Sequence, residues 1–104
     1  MHWTLLLIAA VFEIIWAVGL KYIDGFTRLW PSVGVVAAMI VSMVLLAFAA
    51  RGLPIGTAYA IWTGIGAAGT AISGMILFDE PITTARIVCL LLIVVGVIGL
   101  RVSQ

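Results

Sequence analysis

Charged residues are scarce in this 104-residue sequence, and their scarcity excludes most water-soluble folds. Only 9% of the residues are charged and 65% are hydrophobic, whereas soluble domains average about 25% charged and about 45–50% apolar residues. So few charges cannot cover the surface of a globule in water, but hydrocarbon accepts an apolar exterior. The composition therefore predicts a membrane protein whose outer surface contacts lipid.

Basic clusters, cysteine pairs and cofactor motifs are also missing. The five Lys and Arg residues are spread along the chain and give a net charge of +1, which leaves no basic patch for nucleic acid. The single cysteine, Cys89, excludes an internal disulfide framework and a cysteine-based metal motif. The glycines of residues 64–69 match a dinucleotide fingerprint in spacing, but they lie in an apolar run with no preceding strand. With no nucleophile–base pair visible, we expect no enzyme, no cofactor and no metal site.

Long apolar runs dominate what is present. At 1.5 Å per residue these runs approach the hydrocarbon thickness of a bilayer, about 30 Å, and the connections between them are too short for a soluble domain. The first run contains an acid and is followed by Lys21 instead of a cleavage site, so we interpret it as a retained helix and not as a signal peptide. We expect one all-α domain, residues 1–104, with four transmembrane helices. The predicted spans are about 3–20, 33–50, 55–78 and 85–100.

The charges in the loops do little to determine the orientation of the chain in the membrane. If the helices alternate in direction, Arg51 and Arg101 lie on one side of the membrane, and Lys21, Arg28 and Arg86 lie on the other. The positive-inside rule needs a clear excess of Lys and Arg on one side, and two against three is close to balance. The hypothesis that follows is that the chain inserts in both orientations and that opposite copies pair.

Glu13 is the one acidic residue within the four predicted spans. An ionised carboxylate at that depth costs at least about 2.5 kcal/mol on insertion scales, and intramembrane acids usually mark ion or proton pathways. The simpler alternative is a protonated glutamate that forms only a structural hydrogen bond between helices. Removal from water favours the protonated form and a nearby cation favours the ionised form. Competition between these two occupants is the minimal requirement of an antiporter, so Glu13 is predicted to bind both substrate and proton.

Aromatic and hydroxyl side chains accompany this carboxylate. Trp16 follows Glu13 by three positions and shares its helix face. Tyr59 and Trp62 have the same spacing on the third span, and Ser42 lies at mid-depth on the second. We expect these four residues to line the substrate site. For Trp16 and Tyr59, which lie near span ends, an interfacial aromatic belt is an open alternative.

Two pairs of glycines predict close approaches between helices. Gly64 and Gly66 lie within the third span, where they favour close packing and a helix bend. Gly96 and Gly99 lie in the fourth span, and their spacing makes them candidates for a dimer contact.

Two stretches together resemble the small multidrug resistance family. They are the run EIIWAVGLK at residues 13–21 and the run LPIGTAYAIWTGIG at residues 53–66. The length and the four-span layout agree with that family along essentially the whole chain. Within it, the Trp-Ala-Val-Gly run at residues 16–19 is similar to the guanidinium exporter subtype, since the quaternary-ammonium subtype usually has small or hydroxyl residues at the first of these positions.

The resemblance implies an antiparallel, dual-topology homodimer in the inner (plasma) membrane of a prokaryote. Both copies of Glu13 would share one central site, and a small guanidinyl cation would be exported in exchange for protons. It also implies ligand-site roles for Trp16, Ser42, Tyr59 and Trp62, and a bend of the third helix near residues 64–66. Two alternatives stay open: an exporter of quaternary ammonium or polyaromatic cations with the same fold, and a non-transporting membrane scaffold subunit.

Overall fold

The computed structural model describes residues 2–23 and 25–103, which form a bundle of α-helices. A single 3₁₀ turn, Leu20–Tyr22, extends the first helix. All four α-helices are long and apolar enough to cross a membrane, so the predicted all-α fold with four helices of transmembrane length is confirmed. The helices are α1 (His2–Gly19), α2 (Leu29–Ala49), α3 (Ile55–Leu77) and α4 (Thr84–Val102).

Local chemistry explains where three of these helices begin. Pro31 lies in the first turn of α2, where a missing N–H costs no helical hydrogen bond, and α2 accordingly begins four residues before the predicted span. Pro54 precedes α3 in an extended conformation. The Thr83 hydroxyl caps α4 by accepting a hydrogen bond from the Arg86 backbone N–H at 3.2 Å.

The helices form a flat assembly in which α1 lies between α2 and α3, and α4 packs along α3. Alanines at the centre of the bundle, together with glycines at crossings, let the backbones approach closely, as membrane helices require. The bundle measures 41 × 35 × 16 Å, so its thin direction is little more than one helix deep. The central cluster consists of Leu6, Ala9, Ala10, Ala49, Ala58, Ile61 and Trp62.

Each end of the bundle has its own set of basic residues. At one end the Arg101 guanidinium lies 4.4 Å from the centre of the Trp3 ring. At the other end the Lys21 ammonium lies 5.7 Å from the centre of the Phe78 ring, and the Arg28 guanidinium donates to the Tyr22 carbonyl. The helices alternate in direction. The basic residues of the loops are therefore separated into two sets of similar size, one at each end of the bundle.

Candidate functional site

Glu13 lies at the crossing of α1 and α3, where small residues make room for its carboxylate. Only 9% of Glu13 is exposed, and Ala9 and Ala10, one turn earlier on α1, are fully buried. On α3 the carboxylate covers Gly66, and a Cβ atom at that position would overlap it. Gly66 is thus the residue that allows a carboxylate to be inserted between two tightly packed helices.

The Glu13 carboxylate faces a cavity of about 440 Å³ between α1 and α3. Such a volume falls in the range of small-molecule sites, about 300–1,000 Å³. Glu13 Oε1 and Trp16 Nε1 are both buried, and neither has a hydrogen-bond partner among the described residues. A carboxylate oxygen can only accept a hydrogen bond unless it is protonated, whereas an indole N–H can only donate. The cavity therefore offers both an acceptor and a donor to whatever enters it.

Other residues extend the cavity along α3 and toward the connection between α3 and α4. Thr63, Ala67, Thr70, Ala71 and Gly74 line it on α3. At its far end lie Lys21, Phe78 and Glu80. The Glu80 carboxylate accepts a hydrogen bond from the Arg86 guanidinium at 3.3 Å. The cavity therefore contains one carboxylate among small, apolar and hydroxyl side chains, and its other charged groups lie at one end.

Ser42 and Trp62 join three helices beside the turn that precedes Glu13. The Trp62 indole N–H donates to the Ser42 hydroxyl at 2.9 Å, and that hydroxyl donates to the Ala9 carbonyl at 2.7 Å. Both side chains are buried. The structure thus brings these two predicted residues to the neighbourhood of Glu13, but they do not line the cavity that contains its carboxylate.

Tyr59 lies on the outer surface of the chain. Its side chain is 57% exposed, and its ring packs against Trp62 with 5.8 Å between ring centres. Because α3 continues through Trp62 to Gly66, Tyr59 is about two helical turns from the level of the Glu13 carboxylate. Within one chain Tyr59 is therefore separate from the cavity.

The two glycine pairs have contrasting surroundings. A Cβ atom at Gly64 would meet the Val97 side chain of α4, and α3 runs as one helix through both Gly64 and Gly66. At Gly96 and Gly99 an added Cβ atom would have nothing within 4 Å in the described part of the chain. The first pair accommodates neighbours within the chain, while the second lies on an open helix face. The bend and the dimer contact both remain predictions.

Four polar or charged residues of the cavity were not assigned to the site from the sequence. Thr63 and Thr70 belong to a stripe of small and polar residues on α3, and their seven-residue spacing was the available signal. Lys21 and Glu80 reach the cavity only because the ends of α1 and α3 lie side by side. No spacing within the sequence indicates that juxtaposition.

Comparisons with known proteins agree with the resemblance found in the sequence. Residues 1–93 match the family model described as Small Multidrug Resistance protein. A protein named "Guanidinium exporter" from Escherichia coli (strain K12) is 58% identical over 103 residues, which cover 99% of this chain and 98% of that protein. Proteins of the same name from Salmonella typhimurium and Citrobacter freundii are 57% identical over the same shares of each chain.

Proposed function

The chain belongs to the small multidrug resistance family, and on that premise we propose that it is a proton-coupled antiporter that exports guanidinium or small guanidinyl cations. The observation that carries the proposal is the buried Glu13 carboxylate, whose Oε1 atom has no hydrogen-bond partner among the described residues. A carboxylate removed from water is stabilised by a proton or by a cation. Because the proton and the cation replace each other on this carboxylate, export of the cation is coupled to proton movement in the opposite direction.

The chemistry of the cavity favours a guanidinyl cation over a quaternary ammonium ion. Guanidinium is a planar cation with six N–H donors, and a carboxylate can accept two of them in a paired contact. Trp16 cannot accept a hydrogen bond, so its indole would orient the carboxylate or present its π face to the cation. A quaternary ammonium ion has no N–H to donate, so it gains none of these hydrogen bonds and only the contact with the π face remains. The E. coli relative is named for export of guanidinium, which supports the same choice of cargo.

The proposed working unit is a homodimer of two oppositely inserted copies. None of the described residues of α4 is buried, and Gly96 and Gly99 lie on its open surface. The cavity of one chain contains a single acidic residue in its interior, Glu13, so an inverted copy would supply the second carboxylate. The partner copy would also bring Tyr59, Ser42 and Trp62 toward a shared central site.

Alternating access follows from that symmetry. When two oppositely oriented copies exchange conformations, the same pair of carboxylates faces first one side of the membrane and then the other. The proton gradient drives this exchange, so no nucleotide is required. The relatives come from enterobacteria, and we place this multi-pass protein in the plasma membrane of a prokaryote.

Proteoliposomes containing only the purified chain provide the test. With a proton gradient as the sole driving force, we expect uptake of guanidinium, proton movement in the opposite direction and much weaker uptake of tetraethylammonium. Preferred uptake of tetraethylammonium would replace the proposed substrate by the multidrug class. Absence of uptake of either cation would contradict the transport proposal and favour a scaffold subunit.

Glu13→Gln supplies the matched control, because glutamine has the size of glutamate but cannot release a proton. We expect this variant to lose both guanidinium-driven proton release and coupled uptake. Binding of guanidinium to the wild-type protein should also weaken as the pH falls, since protons then occupy the carboxylate. Coupled transport by Glu13→Gln would contradict the assigned role of Glu13.

A further inference from the structure

Three buried polar side-chain atoms lack a hydrogen-bond partner within the described part of the chain, and all three belong to residues that line one cavity. They are Glu13 Oε1, Trp16 Nε1 and Thr70 Oγ1. The proposed function gives roles to Glu13 and Trp16 and none to Thr70. We infer that the Thr70 hydroxyl is part of the cation site, where it accepts a hydrogen bond from a guanidinyl N–H group that Glu13 leaves free. This inference rests on the proposed function.

The free hydroxyl of Thr70 contrasts with the hydroxyl of its neighbour Ser73. A serine or threonine inside a helix commonly satisfies its hydroxyl by donating to the carbonyl four residues earlier. Ser73 does so, with 2.8 Å between its Oγ and the Gly69 carbonyl oxygen. The corresponding carbonyl for Thr70 is that of Gly66, and no such bond is formed. A buried hydroxyl without a partner loses its bonds to water and gains nothing in return, so a ligand that satisfies it is stabilised.

Thr70 lies at a suitable distance along α3 from the carboxylate. The Glu13 carboxylate covers Gly66, and Thr70 is four residues further along α3, or about 6 Å along the helix axis. A guanidinium ion that makes a paired contact with Glu13 uses two N–H groups and keeps four. These four point away from the carboxylate, into the cavity that Thr70 lines.

The hydroxyl also adds selectivity that the carboxylate alone does not provide. Any cation is attracted to Glu13, but only a cation with N–H groups can donate to the Thr70 oxygen. A quaternary ammonium ion in the same cavity would leave the hydroxyl buried and unsatisfied. Thr70 is thereby assigned as a specificity residue for hydrogen-bond-donating cations.

Three substitutions of Thr70 test the assignment. Valine keeps the shape of threonine without the hydroxyl. Alanine removes both the shape and the hydroxyl, whereas serine keeps the hydroxyl. Guanidinium chloride, far below denaturing concentration, is titrated into each purified protein while binding heat and proton release are recorded. We expect Thr70→Val and Thr70→Ala to weaken binding about tenfold, the value of one hydrogen bond to a charged group, and Thr70→Ser to stay within about twofold.

Ser73→Ala is the control, because its hydroxyl serves its own helix, and binding should be unchanged. The titrations are repeated across a pH series. A direct contact between Thr70 and the cation predicts the same fold loss at every pH, since Glu13 still exchanges its proton. A role in positioning Glu13 would instead move the midpoint of the pH dependence.

The outcomes separate this inference from the proposed function. If the wild-type protein neither binds guanidinium nor releases protons, the proposed function fails. If it does both and Thr70→Val binds equally well, only the role of Thr70 is overturned. An equal loss in the valine, alanine and serine variants, or a shifted pH midpoint in the valine variant, would also overturn it.

Discussion

α1 and α4 are both apolar helices, 18 and 19 residues long, but they use their surfaces in opposite ways. α1 lies between two helices and buries Leu6, Ala9, Ala10 and Glu13. Among the described residues of α4 none is buried. The cavity that contains Glu13 is therefore formed within one chain, at the α1–α3 seam. α4 packs along α3 with one face and leaves the rest of its surface open.

The largest effect is expected where the seam is tightest. A Cβ atom at Gly66 would overlap the Glu13 carboxylate, so Gly66→Ala should displace the charged group and overpack the crossing. A misplacement of about 1 Å at a reacting group can cost about 100-fold in rate. We expect guanidinium-coupled proton transport to fall by about that factor, as measured in proteoliposomes.

Gly34→Ala on α2 is the control for Gly66→Ala. An added Cβ atom at Gly34 has nothing within 4 Å in the described part of the chain, and both variants gain the same helix propensity, about 1 kcal/mol. Gly34→Ala should transport like the wild type. Equal rates for Gly66→Ala and the wild type would show that the close α1–α3 approach is not needed for function.

A smaller effect is expected from the hydrogen bonds that fix α1 against its neighbours. Ser42→Ala removes the acceptor of the Trp62 indole N–H and the donor to the Ala9 carbonyl. A buried donor left without a partner costs about 1–3 kcal/mol. We expect the free energy of unfolding in detergent to fall by that amount. Ser73→Ala, which removes a bond within one helix, should change it by less than about 0.5 kcal/mol.

The sequence allowed the seam to be predicted in part. Four apolar runs were enough for the four helices, because their length and composition allow little else in a membrane. Glu13 was identifiable because a carboxylate inside such a run is costly. The Ser42–Trp62 pair was selected only residue by residue. The chain of hydrogen bonds from Trp62 to Ser42 and from Ser42 to the Ala9 carbonyl depends on how three helices are aligned, which no single run specifies.

The charged end of the cavity could not have been assigned in the same way. Lys21 and Glu80 are 59 positions apart in the sequence and reach one cavity only because α1 and α3 pack in parallel, with their C-terminal ends side by side. Tyr59 illustrates a different limit of prediction from the sequence, which concerns burial. Its three-residue spacing from Trp62 predicts neighbouring side chains, and their rings do pack together, but Trp62 is buried and Tyr59 faces outward. The spacing of two residues indicates that their side chains are neighbours on a helix, but it does not indicate which of them is buried.

The open face of α4 provides the third prediction. Gly96→Leu combined with Gly99→Leu adds bulk at positions where nothing in the described part of the chain lies within 4 Å of an added Cβ atom, so the helix content should be unchanged. If this face packs against a second copy, the dimer dissociation constant in detergent should rise about tenfold, which corresponds to about 1.4 kcal/mol. Analytical ultracentrifugation measures this constant.

Alanine at both positions is the matched control for the double leucine variant. Alanine is small enough to preserve close helix packing, and the dimer should persist. An unchanged dissociation constant in the leucine variant would assign this face of α4 to lipid, and the difference between α1 and α4 would then be one between protein contact and lipid contact.

The smallest effect is expected at the contact that links α1 and α4 directly. The Arg101 guanidinium lies over the Trp3 ring at 4.4 Å, and a cation–π contact at an exposed site contributes about 0.5–1 kcal/mol. Arg101→Lys keeps the charge, and so keeps the balance of basic residues between the two membrane faces, but it loses the flat stacking of the guanidinium. Unfolding of this variant, of Trp3→Leu and of the double variant gives the coupling energy between the two side chains. A coupling of about 0.5 kcal/mol, with unchanged orientation in the membrane, would show that α4 is attached to α1 mainly through α3; a coupling above about 2 kcal/mol would mean that α4 is fixed within the chain and less free to adapt to a partner.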